Sequence, residues 1–106
     1  MPFHTELTRN GKTAIITLEG ELDASTAVAF RQDVDRAAEG DLDKLVLDMT
    51  KLTYLSSAGL RGLVFARQKM KSEVTIVLVQ VSDEVERTIR MVGFHHSVTF
   101  ADSVPR

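Results

Sequence analysis

The chain of 106 residues has no cysteine, which excludes a disulfide framework and any thiolate metal site. It has two prolines, Pro2 and Pro105, both at the ends, so none interrupts the body of the fold. No apolar run approaches the roughly 18 residues of a membrane-spanning helix. The opening MPFHTELTRN lacks the basic flank and apolar centre of a signal peptide. There is no surplus of positive charge: the formal net charge is −2, so neither nucleic acid nor anionic lipid is an expected partner. No linker, repeat or low-complexity tract is visible. What is present is ordinary for a folded domain, with 43% hydrophobic and 26% charged residues. A chain of this length is expected to form one domain over residues 1–106, without staples. A soluble, cytoplasmic protein without direct membrane insertion is the simplest expectation.

Residues 3–8 alternate apolar and polar, the period of a strand with one wet face. Asn10-Gly11 follows as a hairpin signal, since both positions tolerate positive φ. Ala14, Ile16 and Leu18 then face one way, and a hairpin over about 3–20 is predicted. Gly20-Glu21-Leu22-Asp23 leaves it, and Asp23, Ser25 or Thr26 can cap a helix. That helix carries Ala27, Phe30, Val34, Ala37 and Ala38 on one face and ends at Gly40.

Leu45-Val46-Leu47, closed by Asp48, and Val74–Val79 read as buried parallel strands covered on both faces. Leu60, Leu63, Val64 and Met70 share one helix face between them. Ser82 caps a third helix with the stripe Val85, Ile89, Val92 and a stop at Gly93. Met70 and Met91 are read as core filling. Val98–Phe100 forms a last short strand, and any helix from Ala101 onward is short or absent. The predicted order is β-β-α-β-α-β-α-β, an α/β fold: a mixed five-strand sheet with an N-terminal antiparallel hairpin and right-handed crossovers. Functional loops in such sheets gather beyond the carboxyl ends of the parallel strands, and residues 50–57 are read as one of them.

Within that loop, Leu52-Thr53-Tyr54-Leu55-Ser56-Ser57-Ala58-Gly59-Leu60, after Asp48-Met49-Thr50, resembles the signature of STAS domains, most closely the bacterial anti-sigma factor antagonists. Gly20-Glu21-Leu22-Asp23 matches a second motif of that family, and the element order agrees along nearly the whole chain. The resemblance implies a STAS-like fold and a regulatory binding protein rather than an enzyme. It implies that the serine two before the glycine, Ser57, is phosphorylated by a partner kinase, often the anti-sigma factor itself. The unphosphorylated form then binds the anti-sigma factor and phosphorylation releases it. A serine phosphatase of the metal-dependent class completes the implied switch. The sequence departs from many antagonists in having Ser56 where they have an acid and Ala58 where they have a second serine.

Asp23, Ser56, Ser57, Ala58, Gly59 and Arg61 are the expected partner-binding residues. Ser56 also suits a helix N-cap. Asp23 serves equally as a cap, and Arg61, one turn past Ser57, either pairs with a phosphate or a partner's acid or is a solvated helix residue. Gly59 serves either close approach of a partner or close packing of the helix on its own sheet. Asp48 and Thr50 are expected to order the loop by side-chain to backbone hydrogen bonds.

A phosphate at a helix start meets free N–H groups and a partial positive charge, so the fold can survive it. Other chemistry has little support. His95-His96 has no partner at i+4 for a metal and follows no glycine-rich phosphate loop. Neither a Walker-type loop nor G-x-G-x-x-G is present, and no histidine base lies near Ser57 in the predicted layout. No cofactor and no catalytic set is expected. The alternative function is that of a STAS scaffold or regulatory subunit of a membrane transporter or signalling complex.

Overall fold

A computed structural model describes residues 3–104; Pro2 and Pro105 lie outside them. Strands β1 (His4–Asn10) and β2 (Thr13–Leu22) form the antiparallel hairpin. Asn10 pairs with Thr13, so the turn residues are Gly11 and Lys12 rather than Asn10 and Gly11. Positive φ falls on Gly11 alone, at 63°, which is the pattern of a type II′ turn. The chain continues through α1 (Ala27–Ala38), β3 (Lys44–Leu55), α2 (Ser57–Lys69), β4 (Thr75–Val79) and α3 (Asp83–Met91). A single 3-10 turn, Phe94–Ser97, then leads into β5 (Thr99–Ala101). No helix follows Ala101 among the described residues.

The strand order is β1-β2-β3-β4-β5, with every pair after the hairpin parallel. Crossovers of one hand that always step in one direction put their helices on one side of the sheet. The core agrees. Phe30 of α1, Leu63 of α2 and Ile89 of α3 share one cluster with Ile16, Leu47 and Leu78. β3 and β4 are buried on both faces, as expected, but helices cover only one of them. Their other face holds a smaller cluster of Val46, Val77 and Val79, packed by Ile15, Ala101 and Val104.

One charged side chain enters the core region. Asp33 of α1 is 5% exposed, accepts the Thr5 hydroxyl of β1 at 2.9 Å and is ion-paired to Arg36 at 3.2 Å. At the carboxyl end of α1, Arg9 of β1 donates to the Arg36 carbonyl at 2.6 Å, satisfying a helix-terminal acceptor. Ser82 caps α3 by accepting the Val85 N–H at 3.2 Å, and Gly93 follows its end with φ 78°. Met70 is buried, but Met91 is 80% and Val92 59% exposed, so these two do not fill the core. The buried residues of α3 are Val85 and Ile89.

Candidate functional site

The largest departure from the sequence reading lies in the strand that leads to the two serines. β3 does not stop at Asp48 but runs twelve residues to Leu55, so most of the supposed loop 50–57 is strand. β4 pairs with β3 only as far as Asp48, opposite Val79. Beyond that point β3 continues on β2 alone, with register shifts between Thr17 and Glu19 and between Gly20 and Glu21. These irregularities replace the usual alternation by burial at every third residue: Met49, Leu52 and Leu55 turn inward. Asp48 and Thr50 order this irregular strand rather than a loop. The Asp48 carboxylate accepts the Thr50 N–H at 3.1 Å and its hydroxyl at 2.6 Å. Thr53 adds a bond from its hydroxyl to the Gly20 carbonyl at 3.0 Å, and Gly20 holds φ 96°. β2 likewise runs on through the Gly-Glu-Leu-Asp motif to Leu22 rather than ending at Gly20.

The two strands deliver their ends to one place. The Ser56 N–H donates to the Leu22 carbonyl at 3.0 Å, fastening the start of α2 to the residue before Asp23. Gly59 explains how the helix fits there. A Cβ at this position would collide with the Leu22 carbonyl oxygen and stand 2.9 Å from Leu55 Cδ1. The glycine is therefore needed for packing of α2 on its own sheet. Gly59 is buried, as the packing alternative requires. Gly62 plays a milder version of the same part, with a Cβ there 3.3 Å from the Phe30 ring of α1.

The adjacent serines divide the work. Ser56 is the N-cap of α2 in extended conformation, and its hydroxyl accepts the Gly59 N–H at 3.1 Å. Ser57 is the first helical residue and is exposed. Its hydroxyl takes no part in any side-chain hydrogen bond among the described residues. The cap satisfies one first-turn donor, which leaves the Ser57 and Ala58 N–H groups unbonded at the positive end of the helix dipole. Ala58 is half-buried and Arg61, one turn on, is exposed. Residues four apart are neighbours on a helix surface, so Arg61 and Ser57 share one face.

Asp23 organises the neighbouring turn. Its Oδ1 accepts the Ser25 N–H at 2.9 Å, the Ser25 hydroxyl at 2.7 Å and the Thr26 N–H at 3.2 Å. Thr26 occupies the N-cap position of α1 without a side-chain capping bond. Its hydroxyl instead donates to the Glu21 carbonyl at 2.8 Å. The Ser25 hydroxyl is the main cause that holds the Asp23 carboxyl below the usual carboxylate range. Partial burial pulls the other way, and the Thr26 and Ser25 N–H groups add to the lowering. Asp23 is thus a carboxylate at neutral pH with one oxygen committed to the turn.

Because the strand order never reverses, the sheet has no crevice of the kind that takes small ligands in doubly wound folds. What gathers at the carboxyl ends of β2 and β3 is an open surface of Asp23, Ser56, Ser57, Ala58 and Arg61. A shallow cavity of about 450 Å³ lies elsewhere, along α3. His95 and His96 sit on the 3-10 turn at the other end of the sheet, with ring centroids 4.0 Å apart. Sequence reasoning missed Tyr54, which is 46% exposed near the end of β3. The only signal for it was the apolar spacing of three in Met49, Leu52 and Leu55.

Known proteins share this fold. The anti-sigma-F factor antagonist RsfB of Mycobacterium tuberculosis is 27% identical over 80 residues, which cover 76% of this chain and 66% of RsfB. The match thus spans just under two thirds of that relative's length. An anti-sigma factor antagonist from Mycobacterium paratuberculosis superposes with TM-score 0.87 at 21% identity, covering 97% of this chain and 88% of that one. The Bacillus cell fate determinant SpoIIAA in its phosphorylated form superposes with TM-score 0.72 at 18% identity, covering 96% and 93%. At these identities the two superpositions speak for the fold. The sequence profile of the STAS domain matches residues 4–106, and the chain belongs to the STAS domain family.

Proposed function

We propose that this STAS domain is an anti-sigma factor antagonist of a partner-switching pathway, a regulatory protein and not an enzyme. Its unphosphorylated form binds an anti-sigma factor, or a related serine kinase, through the surface around Ser57. The kinase transfers the γ-phosphoryl group of ATP to Ser57 Oγ, the hydroxyl proton passes to a base of the kinase, and ADP leaves. A serine phosphatase restores the hydroxyl. RsfB supports this reading by its name, and SpoIIAA by having a phosphorylated form. The pathway is expected to act in the cytoplasm; no helix among the described residues is long and apolar enough to cross a membrane.

The observation that carries the reading is the division between the two serines. Ser56 holds the helix start, while Ser57 stands exposed with its hydroxyl free. Ser57 can therefore be modified without removing a bond the fold uses. The phosphate adds a charge of about −1.5 to −2. The net charge would fall from −2 to roughly −4. Two unbonded N–H groups and the helix dipole accommodate the phosphate in the free protein. In a partner interface the same dianion must shed water, and a loss of only ~2.7 kcal/mol weakens binding about 100-fold. The switch then acts at the interface rather than by refolding.

The test is phosphotransfer from ATP by each candidate serine kinase, with the modified residue located by mass spectrometry. Phosphate on Ser57, and none on a Ser57→Ala variant, is the expected result. Modification of Ser56 or Ser25 instead, or of no residue by any candidate, contradicts the proposal.

A further inference from the structure

We propose that the outer edge of β1 pairs with the same edge of a second copy of this chain, joining two five-stranded sheets into one. The proposal is independent of the Ser57 switch. β1 is the first strand of the sheet and has a neighbour only in β2. Its register with β2 is set by the two-residue turn, which makes Asn10 and Thr13 a hydrogen-bonded pair. Alternate residues repeat that pattern, so Thr8, Glu6 and His4 direct their backbone bonds to β2. The N–H and C=O groups of Thr5, Leu7 and Arg9 point outward, and none has a backbone partner among the described residues.

Exposed edges invite pairing, and folded proteins guard them with short strands, proline, lysine, bulges or a covering segment. The other edge is guarded by its length, since β5 has three residues. β1 has seven, with no proline, no lysine and no break in its register. Its one arginine is turned inward: the Arg9 guanidinium lies on the Arg36 and Ala37 carbonyls at the carboxyl end of α1. Leu7, on the same face as Thr5 and Arg9, packs against the core and is left half-buried at the rim.

The occupant follows from self-complementarity. An antiparallel pair with its two-fold axis at Leu7 overlaps all seven residues of β1. Leu7 then meets Leu7 of the second copy on the helical face and completes its burial. Thr5 stands opposite Arg9 of the second copy, so the Asp33 bonded to Thr5 faces the end where Arg9 and Arg36 meet. On the other face Glu6 stands opposite Thr8, and His4 opposite Asn10. No like charges oppose one another. Centring the axis on Glu6 or on Arg9 instead places like charges directly opposite, which destabilises a strand pair. Charge therefore selects one register as well as one partner. The contact lies at the small end of protein interfaces, so a dissociation constant of about 10–100 µM is expected.

Sedimentation equilibrium of the full chain from about 10 µM to about 1 mM tests this, with amide hydrogen exchange to locate the contact and circular dichroism to check folding. A dimer is expected, with the amides of Thr5, Leu7 and Arg9 gaining protection as concentration rises. Thr8 is exposed and takes a charge without entering the core. Thr8→Glu, facing Glu6 of the second copy, should weaken the dimer about threefold to tenfold, and Thr8→Lys should strengthen it by a similar factor. Thr99→Glu, on the opposite edge strand, should leave it unchanged. A chain that stays monomeric at about 1 mM overturns the proposal. A dimer whose β1 amides exchange freely overturns the edge contact, and one in which the two Thr8 variants act alike overturns its register. Protection of the β1 amides only when a different protein is added overturns the second copy as occupant.

Discussion

Gly59→Ala is the substitution whose outcome the structure determines most sharply, because local and tertiary arguments give opposite signs. Helix propensity alone favours alanine by about 1 kcal/mol. The added Cβ, however, meets the Leu22 carbonyl, with the Leu22 carbonyl carbon at 3.0 Å and Leu55 Cδ1 at 2.9 Å. Leu55 Cδ1 can move, but the Leu22 carbonyl is backbone and is engaged by the Ser56 N–H. The start of α2 must lift. Overpacking of this kind costs about 1–3 kcal/mol, and loss of the Ser56 to Leu22 bond about 1 kcal/mol more. After the propensity gain the net destabilisation is about 1–3 kcal/mol. For a domain of this size that lowers Tm by roughly 4–20 °C, readable by circular dichroism or urea unfolding. Gly62→Ala is the companion measurement. Its Cβ meets only a ring edge at 3.3 Å, so its effect should stay within about 1 kcal/mol of zero. An unchanged or raised Tm for Gly59→Ala would refute the argument that this glycine exists for packing.

The two serines separate in the same assay: Ser56→Ala removes a helix cap and should cost about 1 kcal/mol, whereas Ser57→Ala should lie within about 0.5 kcal/mol of the parent. Equal losses would contradict the division of roles. Asp23 has a depressed folded-state pKa, so its contribution to stability is present above the ordinary carboxylate pKa and is lost as pH falls through the folded value. Ser25→Ala removes the main cause, and carbon NMR titration of the Asp23 carboxyl should show its midpoint move upward; an unmoved midpoint assigns the depression elsewhere. Thr5→Val leaves the buried Asp33 carboxylate without its hydroxyl donor and should destabilise by about 1–3 kcal/mol in urea unfolding, against near-neutrality if water replaces the bond.

Where the sequence was legible, its periodicities were regular. The alternation in β2, the 3.6-residue stripe of α1 and the serine caps of α2 and α3 follow directly from residue order. The latter half of β3 was not legible, because two register shifts turn an alternating pattern into a three-residue one that resembles a loop. The placement of the helices on one face was also hidden. Val46, Val77 and Val79 are buried as their type suggests, but under side chains of neighbouring strands and Val104 rather than under a helix. At the site, Ser56 could be read as a cap from its position alone. Gly59 could not be resolved between partner approach and packing, since that depends on a carbonyl contributed by Leu22, 37 positions earlier in the chain. Tyr54 and the exposed end of α3 were missed for a related reason. Apolar type signals burial, but only the ends of the neighbouring elements decide whether a side chain is covered.

The most direct test of the central claim is the affinity of the anti-sigma factor or serine kinase for the unmodified chain and for the chain carrying phosphate on Ser57 alone, titrated under one set of conditions. The account predicts that phosphorylation weakens binding about 100-fold or more while the fold and its Tm stay close to those of the unmodified protein. Equal affinity of the two forms, or release that occurs only because the phosphorylated chain unfolds, would contradict it.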